Sequence, residues 1–183
     1  MVDLTINCEM KDVLSSMKGK TLKSIEGDYR FDMKEFTEFV RLNLGRYSVE
    51  IYVDYTLIKW LLGGDHPVEE EENCFVIRKT DSEHTYLKGW NPVRFLKDEK
   101  ISEVILVRDT IKTNRGEEIV SDSGIVIGTG ETVYSFSRWG LSIYMNEGNR
   151  IDLFWTLKDV KKEFTDDYNG VIPLGITRDY ISL

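Results

Sequence analysis

The chain has 183 residues, 41% of them hydrophobic and 31% charged, with a net charge of −8. That size and balance suit one globular domain, and no segment approaches the roughly 20 consecutive apolar residues of a bilayer-spanning helix. A surface this acidic repels phosphate backbones and anionic lipid unless its basic groups cluster. Lys and Arg are scattered, no basic run exceeding a pair such as Lys161-Lys162, so neither nucleic acid nor membrane is expected as a partner.

The N-terminal stretch MVDLTINCEMKDVL carries acids where a secretion signal would be apolar. Cys8 and Cys74 form no CxxC pair, so reduced thiols and a cytoplasmic location are expected. In the first element Asn7 caps a helix in which Met10, Val13, Leu14 and Met17 recur at helical spacing, closed by Gly19. Leu22 and Ile25 then mark a short strand. Residues 29–44 carry two patterns. Asp32 and Glu35 resemble a capping box, with Phe36, Phe39 and Val40 at helical spacing. Val40, Leu42 and Leu44 alternate as in a strand, and Val49, Ile51 and Val53 alternate after them. A hairpin turning at Gly45 and Arg46 is favoured, with a helix over 33–40 as the alternative.

The apolar run from Leu57 to Leu62 is a further strand, ended by Gly63 and Gly64. DHPVEEEEN reads as an acidic loop over 65–72, CFVIRKT as a strand, and Asp81 to Pro92 as a second loop. From Ile101 the pattern is plainly β. ISEVILVRDTIKT turns at Asn114 to Gly116, and EEIVSDSGIVIG returns with a bulge at Asp122 to Gly124. TVYSFSRW and LSIYMN follow, and RIDLFW reads as a last long strand. Thr156 caps a short late helix bearing Leu157, Val160 and Phe164 on one stripe, and the apolar tail is expected to pack. The expected fold is α+β, predominantly antiparallel β in a sandwich or barrel-like meander, with an N-terminal helix and one late short helix. Residues 1–183 read as one domain, with two lobes at about 1–95 and 96–183.

Candidate chemistry is sparse. His66 and His84 are the only histidines, and a Cys74–His84 pair is the one conceivable nucleophile and base. The two cysteines and two histidines lack the paired spacing of a zinc site, and the acidic run lacks the alternation and central glycine of a calcium loop. No metal or cofactor is expected. Gly124, Gly128 and Gly130 match no phosphate-binding fingerprint and read as turns and bulges. Asp109, Asp122 and Asp152 lie in or beside strands, where converging carboxylates would do acid–base work.

The most conspicuous feature is the acidic run, with Asp65, Glu69, Glu70, Glu71 and Glu72, near an aromatic-rich stretch containing Tyr47, Tyr52, Tyr55 and Trp60. Tyr52 shares a face with Ser48 and Glu50 and is expected to be exposed. Acids beside aromatic anchors suit an interface with a basic protein. The expected function is therefore a non-enzymatic protein-binding module, of the kind that small bacterial inhibitor or immunity proteins represent. The alternative is an enzyme or small-molecule binder using a sheet cleft with Cys74 and His84 or the strand aspartates.

Overall fold

A computed structural model describes residues 1–60, 68–81, 92–130, 132–167 and 171–183. The chain opens with strand β1 (Val2–Leu4) and helix α1 (Cys8–Ser15). Asn7 caps α1 as expected, its Oδ1 accepting the Met10 N–H at 2.9 Å. Past the helix, Gly19 (φ 79°) takes the left-handed turn that glycine tolerates best, and its N–H donates to the Ile101 carbonyl at 2.9 Å.

Five strands follow: β2 (Thr21–Arg30), β3 (Glu35–Asn43), β4 (Tyr47–Trp60), β5 (Val68–Asp81) and β6 (Val93–Lys100). The alternating period wins over the capping-box pattern, so no helix forms over 33–40. The hairpin turns at Gly45 (φ 87°), whose N–H donates to Asn43 Oδ1 at 2.8 Å. Residues 68–72 are not loop. They belong to β5, whose 14 residues pair with β4 without a register break from Tyr47↔Asp81 to Trp60↔Val68. Asp65 and His66, and the second expected loop apart from its ends, lie outside the described residues.

The second half supplies β7 (Glu103–Thr113), β8 (Glu118–Gly128), β9 (Val133–Trp139), β10 (Ser142–Gly148), helix α2 (Leu157–Asp167) and β11 (Pro173–Ser182). The bulge falls as expected in β8: Val107 faces Gly124 and Arg108 faces Asp122, leaving Ser123 extra. Thr156 and Asp159 cap α2 reciprocally, Thr156 N–H to Asp159 Oδ2 at 3.0 Å and Asp159 N–H to Thr156 Oγ1 at 3.3 Å. RIDLFW is not a strand. Its alternation serves another purpose: the N–H groups of Asp152 and Phe154 donate to the buried hydroxyls of Ser135 and Ser137 at 3.2 and 3.1 Å. Leu153 between them sits over Gly124, where a Cβ would come within 2.8 Å of its Cδ2.

The strands form a mainly antiparallel, open sheet, ordered β11-β7-β8-β9-β10-β3-β2-β6, so the barrel does not close. It forks twice. β2 and β7 occupy one whole edge of β3 and of β8. The other edge of β3 is shared by β10 (at 35–36) and β4 (at 39–43), and that of β8 by β9 (at 124–128) and parallel β1 (at 119–121). The sheet curls around one core joining both halves of the chain, with Leu14 of α1 and Met17 just after it packed among Ile25, Phe36, Ile51 and Phe136. Behind β7 and β8, α2 contributes Val160 to a second cluster with Ile111 and Ile119. No helix among the described residues is long and apolar enough to cross a membrane.

Candidate functional site

Successive side chains of a strand alternate between faces, and on β4 the odd positions face the core. Val49, Ile51 and Val53 are buried there, but the stripe then leaves the protein body: Tyr55 is 49% exposed and Leu57 69%. Across the ladder the partners change in step, from Ile77 and Phe75 opposite Ile51 and Val53 to Asn73 and Glu71 opposite Tyr55 and Leu57. Charge divides the same way. The inner half of the ribbon, 47–53 with 75–81, holds Glu50, Arg78, Lys79 and Asp81 and is neutral. The outer half, 54–60 with 68–74, sets Asp54 and Glu69 to Glu72 against Lys59, a net −4 of the chain's −8. Glu71 is exposed and Glu72 half-buried. The backbones of Glu69 and Glu70 belong to β5, while their side chains lie outside the described residues.

The even face of β4 carries a row of alternating charge. Arg94, Glu26, Arg41, Glu50 and Arg78 are cross-strand neighbours on β6, β2, β3, β4 and β5. Arg94 Nε meets Glu26 Oε1 at 3.0 Å, Arg41 Nε donates to Glu50 Oε1 at 3.1 Å, and Arg78 Nε donates to Glu50 Oε2 at 2.8 Å. Ser24 also donates its hydroxyl to Glu26. Glu26, Arg41 and Glu50 are buried, and each buried charge is matched by an opposite one. Tyr52 lies on this face, as its alternation with Ser48 and Glu50 implied. It is half-buried rather than fully exposed, with the Arg78 guanidinium 5.2 Å from its ring.

The row escaped the sequence reading because its members are far apart along the chain. One signal was present: Arg41 and Glu50 are equidistant from the Gly45–Arg46 turn, so that hairpin makes them opposite partners.

In comparisons with protein-family models, curated proteins and solved structures, nothing matches this chain.

Among the described residues, the catalytic candidates do not converge. Asp109 is gripped by Arg178 through two bonds of 2.7 Å, and Arg178 also donates to the Trp155 carbonyl at 2.8 Å. Asp122 accepts from Arg108 Nε at 2.8 Å and from the Ile6 N–H at 2.8 Å. The two lie on opposite faces of the sheet, since Asp109 pairs with Ser121 and Asp122 with the residue before Asp109, Arg108. Asp152 is exposed. Cys74 is half-buried on β5, its thiol 3.6 Å from the Asp54 carbonyl, and burial pushes its pKa up. His84 lies outside the described residues.

Proposed function

We propose that the protein is a non-enzymatic binding module of the inhibitor or immunity type, and that the outer half of the β4–β5 ribbon receives a basic protein. The observation that carries this reading is the coincidence on one ribbon of an exposed apolar pair, Tyr55 and Leu57, with half of the chain's net negative charge. Buried aromatic and aliphatic anchors supply most interface energy, while surrounding charge steers encounter and selects the partner's sign. Glu71, directly opposite Leu57, sets an acid beside the anchor. The enzymatic alternative finds less support: Asp109 and Asp122 are held in ion pairs, and the Cys74 thiol is disfavoured as a thiolate. A cytoplasmic setting fits the two free thiols, Cys8 and Cys74.

Affinity capture from the source cell tests the proposal, with the full chain and its Leu57→Asp variant as parallel baits. Leu57 is exposed, so the substitution leaves the fold intact. The expected result is a basic protein retained by the wild type at low salt, released by raised salt and lost from the variant. Retention of the same proteins by both baits, or of acidic proteins only, contradicts it.

A further inference from the structure

The three arginines most buried against carboxylates each hold one directly: Arg41 with Glu50, Arg108 with Asp122 and Arg178 with Asp109. Arg138 is the exception. It is the second-last residue of β9 and stands where β9 and β1 part along the edge of β8. Its Nη2 donates to Ser121 Oγ, and its guanidinium carbon lies 5.7 Å from the centre of the Phe75 ring. Its Nε is buried without an acceptor, and among the described residues it has no ion pair. The residue as a whole is only half-buried, so solvent reaches part of it.

We infer that Arg138, at the fork between β9 and β1, binds the carboxylate of a small ligand. A guanidinium presents parallel N–H donors that match the two oxygens of a carboxylate, and an aromatic ring beneath it suits a flat ion pair. An unpartnered buried donor carries its full desolvation cost until an acceptor reaches it. Burial also acts against the charge of Arg138, which a bound anion offsets. The ligand's charge is set by the neighbours. Asp109, Asp122 and Glu72 all act on Arg138 through space. Arg108 and Arg178 neutralise Asp122 and Asp109, but Glu72 stays close, so a singly charged carboxylate meets less repulsion at the fork than a phosphate dianion.

The test is a titration of the 15N-labelled full chain with acetate at constant ionic strength against chloride, following the arginine Nε–Hε signals. One signal, missing from Arg138→Lys, moves saturably with acetate and stays in place with neutral acetamide. At about a hundredfold excess over Kd, Tm rises by roughly 5–10 °C. Should Arg138→Lys not fold, Ser121→Ala keeps the guanidinium, releases its Nη2 donor and binds acetate more tightly. The inference is overturned by no saturable movement, by movement that persists in Arg138→Lys, by unchanged affinity in Ser121→Ala, or by phosphate binding more tightly than acetate.

Discussion

A thiol reacts as its thiolate, and burial on β5 pushes the Cys74 pKa above the ordinary value. At neutral pH its thiolate fraction is therefore below that of a free cysteine. In a Cys8→Ser background, alkylation of Cys74 by iodoacetamide is expected to run slower than that of a small free thiol and to keep rising beyond pH 9. A rate at pH 7 above the free-thiol rate would reinstate the nucleophile. Residue-scale burial was legible wherever alternation was clear, as at Val49, Ile51 and Val53. Ion-pair partners such as Arg178 for Asp109 were not, because a pair 69 residues apart is created by strand pairing and leaves no local trace.

Individual elements show why some segments read wrongly. β6 went unread because VRFLKDEK is mostly charged, and only every second residue is half-buried, as suits an edge strand paired on one side. Glu is a poor strand former, so the acidic run read as loop, yet pairing with β4 carries it into β5. RIDLFW has a strand's alternation, but serine hydroxyls rather than a neighbouring backbone take its N–H groups. The charge row makes the clearest prediction at this scale. Glu50 is buried and holds Arg41 and Arg78 together. Glu50→Ala leaves two guanidinia facing each other across β4 and is expected to cost about 3–5 kcal/mol in urea unfolding. A cost below about 1 kcal/mol, the usual worth of an exposed pair, would show that the row is not a buried network.

Across the whole molecule, an acidic, mainly antiparallel fold with one leading and one late helix could be read from composition, caps and β-branched runs. The forks at β3 and β8 could not, since they depend on which strands share an edge. The proposed interface is also a property of the whole, because the exposed apolar pair and the acids meet only once β4 and β5 are paired. Reversing Glu69, Glu70, Glu71 and Glu72 to Lys changes the net charge by eight, from −8 to zero. The deciding measurement is the association rate of this variant and of the wild type with the captured basic protein across a salt series. The wild-type rate should fall steeply with ionic strength, and the variant should associate roughly tenfold or more slowly at low salt with a flattened salt dependence. Equal rates and equal salt slopes would contradict a docking role for the ribbon.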